Sequence, residues 1–251
     1  MTRQDLVAEL NALLAVERFR DYGPNGLQVE GRPTVRKMVS GVTASLALIQ
    51  AAVQEGADTI LVHHGLFWRG HDGCVTGWLK QRLALLLAHD INLLAYHLPL
   101  DAHPELGNNA QLANVLGLVG QSRFGEQELG WLGQAVGARQ FACAHALGEH
   151  VQQCLNRSVL VVEGAAKPLS RIAWCTGGAQ SYFEAAIAAG ADAFITGEIS
   201  EPQAHYARES GVAFLACGHH ATERYGVQAV ARYLVEQHGL EHVHIDIDNP
   251  A

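Results

Sequence analysis

One segment of this chain occurs twice, and the repeat limits the fold more than any other feature of the sequence. AAVQEGADTILVHHG at 51–65 resembles AAIAAGADAFITGEI at 185–199, with Ala-Ala, a β-branched residue, Gly-Ala-Asp and then an apolar run. Gly56 and Gly190 lie 134 positions apart. A helix followed by an apolar strand, found twice, indicates parallel βαβ units. The alternative is that Gly-Ala-Asp recurs by chance before two unrelated strands.

The repeat predicts an α/β protein in which two related halves of mostly parallel βαβ units face each other across a metal-binding cleft. We assign residues 1–125 to the first half and 126–251 to the second, and we leave open that the halves interleave. The stretch at 119–170 is less regular, with a helical pattern over 138–155 between two short strand candidates. We interpret it as a small β-α-β element that leads into the second half.

Side chains that bind metals follow four of the predicted strands. Each of four short motifs comes directly after an apolar run: HHG at 63–65, YHLPLDAH at 96–103, TGE at 196–198 and GHHATE at 218–223. In parallel α/β sheets, ligands bind at the carboxyl ends of the strands. Histidine, aspartate and glutamate delivered together to that edge make a metal site of nitrogen and oxygen ligands.

The charge balance and the cysteines exclude several classes of protein. A net charge of −8 without a run of Lys or Arg argues against stable binding to duplex nucleic acid. Five cysteines are scattered without a CxxC pair, which argues against disulfides and for a reducing compartment. The start, MTRQDLVAELNALLAVERF, indicates an amphipathic helix, and no apolar stretch approaches the ~20 residues of a membrane helix. We therefore predict a cytoplasmic protein without a membrane partner.

Two candidate ligand motifs lie in the first half. His63 and His64 are adjacent at a predicted strand end, where a turn at Gly65 brings both rings to one cavity, although strand neighbours otherwise point to opposite faces. The alternative is a pair of loop histidines. Asp101 follows Pro99, and a carboxylate there would bridge two cations ~3.5–4 Å apart. The alternative for Asp101 is a helix cap or a turn residue.

The second half contributes a helical pair and a glutamate. His219 and Glu223 have the i, i+4 spacing that places two side chains on one face of a helix, as in paired metal ligands. His220 then points away from them. Glu198 ends a predicted strand, and three roles stay open for it: an outer ligand, a general base, or the partner of an arginine.

Seven motifs in order resemble the Nif-three-like family of YbgI-type proteins, commonly labelled GTP cyclohydrolase 1 type 2 homologues. The motifs are PNGLQVEG (24–31), GVTAS (41–45), VHHG (62–65), HLPLDAHPELGNNAQLA (97–113), WCTGGAQS (174–181), FITGE (194–198) and GHHATERYG (218–226). The resemblance covers both halves, and only 119–170 is weakly matched. It implies two α/β domains, a dinuclear metal centre between them and a homo-hexameric ring built as a trimer of dimers.

The resemblance also implies which residues bind the metals. The ligands carry over to His63, His64, Asp101, His219 and Glu223, and His97 matches a position close to the metals. Five ligands are too many for one tetrahedral ion that keeps an open position, so we predict two divalent metal ions per chain. Nitrogen and oxygen ligands without thiolate suit Fe, Mn, Zn, Ni or Co.

Two classes of function remain. The first is a dinuclear metal-dependent hydrolase of the GTP cyclohydrolase 1 type 2 kind, acting on a nucleotide-like or heterocyclic small molecule. One ion would lower the pKa of water and the other would polarise the electrophile, while His97 or Glu198 handles the proton. The second is a metal-binding ring scaffold, or a metal-handling protein, without catalytic turnover. An enzyme keeps open coordination positions in a cleft, whereas a storage site is closed.

Overall fold

The computed structural model describes residues 1–251, which form two compact units. The first contains Met1–Gly107 and Gly226–Asp248, and the second contains Asn108–Tyr225 and Asn249–Ala251. The chain leaves the first unit and later returns to it, so the two units alternate along the sequence. Each unit holds one sheet and several helices, which confirms the predicted α/β class.

Five strands form the sheet of the first unit: β1 (Gly26–Val29), β2 (Lys37–Thr43), β3 (Thr59–His64), β4 (Asn92–Ala95) and β11 (Glu241–His244). Their order across the sheet is β1-β4-β3-β2-β11. All neighbours are parallel except β1, which pairs antiparallel with β4. β3 and β4 are buried almost throughout, as expected for central strands of a parallel sheet.

The helices of the first unit are α1 (Arg3–Leu13), α2 (Leu46–Gln54), α3 (Gly77–Ala88), α4 (Leu98–Ala102) and α10 (Gly226–His238). The predicted amphipathic start is α1, whose first turn is capped by Thr2 because its Oγ1 accepts from the backbone N–H of Asp5 at 3.1 Å. Ser45 caps α2 in the same way. α10 contacts β2 and β3 and shares a core with α1, although it lies far along the chain from both.

Six strands form the sheet of the second unit: β5 (Leu118–Phe124), β6 (Gly130–Ala135), β7 (Leu160–Val162), β8 (Ile172–Trp174), β9 (Ala193–Thr196) and β10 (Ala213–Ala216). The order is β5-β6-β8-β9-β10-β7. β8, β9 and β10 are parallel, and the strands on either side of them pair antiparallel. The repeated segment therefore supplies the parallel centre of a mixed sheet here.

The helices of the second unit are α5 (Asn108–Leu116), α6 (Ala144–Leu155), α7 (Phe183–Ala188), α8 (Glu201–Ser210) and α9 (His219–Glu223). Between 119 and 170, a β5–β6 hairpin precedes α6 and β7. The helix expected over 138–155 begins later, at Ala144, because Phe141 pairs with Leu169 in an isolated bridge. None of the helices in either unit has the length and apolar character to span a membrane.

The strands place the four polar motifs as the sequence indicates. β3, β4, β9 and β10 are each parallel to a neighbour and each ends within or just before one motif. The short helices α4 and α9 begin directly after two of these strand ends. Each unit therefore carries its metal-binding residue types at the carboxyl edge of its own parallel strands.

Candidate metal-binding clusters

Three imidazoles converge at the edge of the first sheet, and we call His63, His64 and His97 the histidine cluster. One ring nitrogen from each lies within 4.8 Å of the others. The ring centroid of His63 lies 4.4 Å from that of His64 and 5.0 Å from that of His97. β3 ends at His64, so the chain turns at Gly65 and the two neighbouring rings reach the same place.

The protonation of His63 is set by the backbone. His63 is fully buried, and its Nδ1 lies 2.9 Å from the carbonyl oxygen of Tyr96. A carbonyl only accepts, so Nδ1 carries the proton and Nε2 carries the lone pair in the neutral ring. Nε2 lies 3.6 Å from Oδ1 of Asp101 on α4. Asp101 is itself buried, at 6 % exposed.

His97 is held by a carboxylate that the sequence reasoning missed. Its Nδ1 lies 2.6 Å from Oδ1 of Asp21, and its backbone N–H donates to Asn25 at 2.7 Å. Oδ2 of Asp21 also accepts from the backbone N–H of Leu98 at 2.9 Å. Burial acts to raise the pKa of Asp21, but the hydrogen bonds from His97 and Asn25 outweigh it and lower the pKa. The ionised Asp21 therefore orients His97.

The second unit brings one histidine between two carboxylates, and we call Glu198, His219 and Glu223 the carboxylate cluster. His219 begins α9 and Glu223 ends it, so the i, i+4 spacing puts Nε2 of His219 3.1 Å from Oε2 of Glu223. Glu198 follows β9, and its Oε1 lies 2.6 Å from Nδ1 of His219. Each imidazole nitrogen therefore contacts a different carboxylate.

The glycine turn after β8 lies directly against this cluster. Gly177 has a φ of +71°, and a Cβ there would collide with Oε1 of Glu223 and lie 3.1 Å from Nε2 of His219. Its backbone N–H donates to Oγ1 of Thr222 at 3.0 Å. Only a residue without a side chain allows the backbone to approach the Glu223 carboxylate this closely.

Two carboxylates give this cluster a strong preference for positive charge. Burial acts to lower the pKa of His219, but Glu223 and Glu198 outweigh it and raise the pKa to about 9. Glu223 is 2 % exposed, so water screens little of its charge. A cation at this place would therefore be favoured by the same two carboxylates.

The donor atoms of both clusters fit a divalent ion of the Fe, Mn, Zn, Ni or Co group. Imidazole nitrogen and carboxylate oxygen are the donors present. Cys217 lies two residues before His219 but is fully buried, and burial raises the pKa of its thiol strongly. The groups of converging donor atoms contain imidazole and carboxylate but no cysteine sulfur.

The Duf34/NIF3 family (NGG1p interacting factor 3) has a sequence model that matches residues 1–250. The chain belongs to the Duf34/NIF3 family. A Pseudomonas aeruginosa relative named GTP cyclohydrolase 1 type 2 homolog is 54 % identical over 252 residues, which is 98 % of this chain and 97 % of the relative. The Nif-three-like resemblance of the sequence is thereby confirmed.

Solved structures of this Duf34/NIF3 fold support the same assignment. The protein ybgI, described as of unknown function, is 46 % identical with a TM-score of 0.96, and the match covers 100 % of both chains. A protein from Thermus thermophilus is 34 % identical with a TM-score of 0.90, again over 100 % of both chains.

Within this Duf34/NIF3 chain, the sequence reasoning missed three residues that shape the clusters. Asp21 and Asn25 hold His97, and Gly177 gives Glu223 its room. Gly177 lies inside the WCTGGAQS motif and Asn25 inside PNGLQVEG, so the motifs marked two of them. Asp21 lies outside every motif and has no comparable signal.

Proposed function

We propose that this chain is a metal-dependent hydrolase with two divalent ions per chain, acting on a nucleotide-like or heterocyclic small molecule. The observation that carries the proposal is the convergence of three imidazoles in the histidine cluster. When bound, the ions lower the pKa of water and polarise the electrophilic atom of the substrate. The proposed ligands are His63, His64, Asp101, His219 and Glu223.

The residues around the proposed ligands prepare them for metal. The hydrogen bond from Nδ1 of His63 to Tyr96 leaves Nε2 as the lone-pair nitrogen, which is how backbone carbonyls prepare metal-binding histidines. Oδ1 of Asp101 lies 3.6 Å from that nitrogen, so the two residues would hold the same ion. Glu198 fixes the ring of His219 through Nδ1 and leaves Nε2 on the side of Glu223.

We propose that His97 moves the proton during the reaction. Asp21 holds Nδ1–H, so Nε2 is left to accept a proton, and the carboxylate stabilises the imidazolium that forms. Glu198, the second candidate for this role, contacts His219, and we assign it to positioning that ring. A ring nitrogen of His97 also lies within 4.8 Å of one of His63. If replacing His97 removes metal, then His97 is a sixth ligand.

Metal content tests the proposal most directly. Wild-type protein loaded with Mn²⁺ and freed of excess should contain two ions per chain by elemental analysis. Asp101→Asn should lose both, because a shared carboxylate serves two ions. Asp90→Asn is the matched control, since Asp90 is exposed and its φ of +51° suits asparagine. One ion per wild-type chain, or full occupancy in Asp101→Asn, contradicts the proposed centre.

Turnover separates the hydrolase from a metal-handling scaffold. The loaded wild type should hydrolyse at least one member of a panel of nucleotides and cyclic amides, and chelation should abolish the activity. Two ions per chain without turnover on the whole panel would favour the metal-handling ring without catalysis. The name GTP cyclohydrolase 1 type 2 homolog belongs to the relatives, and it guides the choice of panel.

We also propose that the chain assembles as a homo-hexamer, a trimer of dimers, in the cytoplasm. The hexamer rests on the family resemblance, and the compartment rests on scattered cysteines without a CxxC pair. Light scattering at micromolar concentration should give six times the 27.0 kDa mass of one chain. A stable monomer would contradict the ring.

A further inference from the structure

Two exposed aromatic rings stand beside the histidine cluster. The ring centroid of Trp68 lies 5.0 Å from His97 and 5.9 Å from His64, and that of Tyr22 lies 6.1 Å from His97. Tyr22 is 55 % exposed and Trp68 is 36 % exposed. Aromatic side chains as accessible as these present apolar area to water at the edge of the proposed catalytic residues.

The loops that carry these rings are tied to each other. The backbone N–H of Arg69 donates to the carbonyl of Tyr22 at 2.6 Å, and its guanidinium donates to the carbonyl of Asp21 at 2.9 Å. A Cβ on Gly23 would collide with the carbonyl oxygen of Phe67. The backbone that carries the rings is therefore held in place before any ligand arrives, which lowers the entropy cost of binding.

A cation completes the group. The guanidinium carbon of Arg69 lies 5.8 Å from the centroid of the Tyr22 ring. We call Tyr22, Trp68 and Arg69 the aromatic shelf. Aromatic faces bind planar heterocycles by stacking, and a guanidinium binds phosphate or carboxylate oxygens. Together they match a ligand that carries a flat ring and an anionic group.

We propose that the aromatic shelf binds the substrate of the histidine cluster, and that this substrate is a planar heterocycle bearing a phosphate or carboxylate. The inference rests on the proposed function and names the residues that select its substrate. Trp68 supplies the stacking face nearest His97, Tyr22 extends it, and Arg69 receives the anion. A structural role for Trp68 alone would explain its edge contact with His97 but not the exposure of Tyr22.

The chain offers a matched control in another tryptophan of the same unit. Trp78 on α3 is 57 % exposed, and the guanidinium carbon of Arg82 lies 4.6 Å from its ring centroid. It has the same side-chain chemistry as the shelf, but its ring partner is Arg82 and not a histidine. A nonspecific affinity of exposed tryptophan for aromatic ligands would affect Trp78 and Trp68 equally.

Calorimetric titration of the metal-loaded protein tests the shelf. The probes are adenosine, guanosine and uridine monophosphates, with ribose 5-phosphate as the probe that lacks a ring. We expect at least one nucleotide to bind about ten-fold or more tightly than ribose 5-phosphate. Trp68→Ala should weaken that nucleotide about ten-fold or more, since stacking of one base on an aromatic ring has this size. Trp68→Phe should restore most of it, and Trp78→Ala should change nothing.

Arg69→Gln separates the anion from the ring. It should weaken binding of the nucleotide far more than binding of the matching nucleoside. Equal affinity of the wild type for all nucleotides and ribose 5-phosphate, or a Trp68→Ala variant that binds as the wild type does, would overturn the shelf. Metal content and hydrolysis are measured on the same samples. A shelf that binds heterocycles without turnover contradicts only the hydrolase, and turnover unchanged in Trp68→Ala contradicts only the shelf.

Discussion

The Gly-Ala-Asp turn is found once in each unit, before β3 in the first and before β9 in the second. Gly56 and Gly190 both adopt a positive φ, +67° and +79°. The alanine that follows each glycine donates its N–H to a carbonyl oxygen of the preceding helix. Ala57 donates to Ala52 at 3.0 Å, and Ala191 donates to Ala186 at 3.1 Å. Both turns therefore end a helix in the left-handed conformation that glycine favours.

The aspartate of each turn anchors the neighbouring parallel strand. Oδ2 of Asp58 accepts from the backbone N–H groups of Arg36 and Lys37 at 2.8 and 3.1 Å. Oδ2 of Asp192 accepts from those of Ser170 and Arg171 at 3.0 and 2.9 Å, and these residues enter β8 as the first pair enters β2. The repeated sequence therefore forms the same hydrogen bonds in both units.

The two units differ at Oδ1 of the turn aspartate and at the strand ends. Oδ1 of Asp58 is buried without a hydrogen-bond partner, whereas Oδ1 of Asp192 accepts from Nζ of Lys167 at 2.6 Å. Beyond the shared turn, one strand ends in His63 and His64 and the other leads to Glu198. The comparison teaches that the turn is scaffold, while the residues eight positions after the glycine, His64 and Glu198, differ and belong to the proposed site.

Replacing the two aspartate anchors should give the largest difference in stability between the two turns. Asp58→Ala leaves two backbone N–H groups without an acceptor in a place that is 5 % exposed, at about 1–3 kcal/mol each. We expect a loss of about 2–4 kcal/mol in the free energy of unfolding. Asp192→Ala should cost about 1–2 kcal/mol, because water reaches the exposed backbone of Arg171. Urea denaturation at pH 7 measures both values.

Asp90→Asn controls for the loss of one surface charge and should leave the unfolding free energy within about 0.5 kcal/mol of the wild type. If the two aspartates make equivalent bonds and only their burial differs, then Asp58→Ala is the more damaging change. A larger loss in Asp192→Ala would mean that its bond to Lys167 outweighs burial.

The carboxylate–imidazole pairs offer the second comparison. Asp21 and Glu198 each lie 2.6 Å from Nδ1 of a histidine, but the Asp21 side chain is 4 % exposed and that of Glu198 is 43 % exposed. Asp21→Asn places an amide N–H₂ among donors from His97, Leu98 and Tyr22, so His97 loses its orienting charge and we expect turnover at saturating metal to fall about 10²-fold with metal affinity nearly unchanged. Glu198→Gln keeps an acceptor for His219 and should cost less than about ten-fold in metal affinity.

Chelator competition with Mn²⁺ measures these affinities, and hydrolysis of any substrate found is measured beside them. A clear loss of metal from Asp21→Asn would instead place His97 among the ligands. Glu198→Gln should leave turnover at saturating metal near the wild-type value. If Glu198→Gln instead lowers turnover about 10²-fold with metal retained, then Glu198 handles the proton and our assignment to positioning is wrong.

The sequence predicted what depends on local spacing. The i, i+4 spacing of His219 and Glu223 determined their contact, and the apolar runs before the motifs located the strand ends. The Asp21–His97 contact joins residues 76 positions apart, which no spacing rule reaches. It depends on where the loop before β1 lies once β1 has paired with β4.

The sheet against which α10 packs was beyond the sequence for a related reason. Amphipathic spacing shows that α10 buries one face, but it does not show against which sheet. α10 follows the last strand of the second unit, yet it contacts β2 and β3 of the first. Val227 and Leu234 share a core with Leu6 and Leu10, so the choice was made by complementary surfaces far apart in the chain.

Acid should distinguish the two aspartate anchors by a smaller amount. Burial acts to raise the pKa of Asp192, but donors from Arg171, Lys167 and Ser170 outweigh it and lower the pKa from 3.8 to about 2. A depressed pKa stabilises the folded state above about pH 4, and this stabilisation is lost as the pH falls toward 2. Since the Lys167 side chain is 47 % exposed, screening limits the effect to about 1–2 kcal/mol.

The unfolding free energy of wild type and Asp192→Asn, measured at about pH 5 and again at about pH 2.5, tests this prediction. The amide does not titrate, so the variant should lose about 1–2 kcal/mol less than the wild type across that interval. Lys167→Gln retains the backbone donors from Ser170 and Arg171. Its loss of unfolding free energy should lie between that of the wild type and that of Asp192→Asn. Equal losses in wild type and Asp192→Asn would contradict the prediction. They would mean that a neutral acceptor holds β8 as well as the charged carboxylate does.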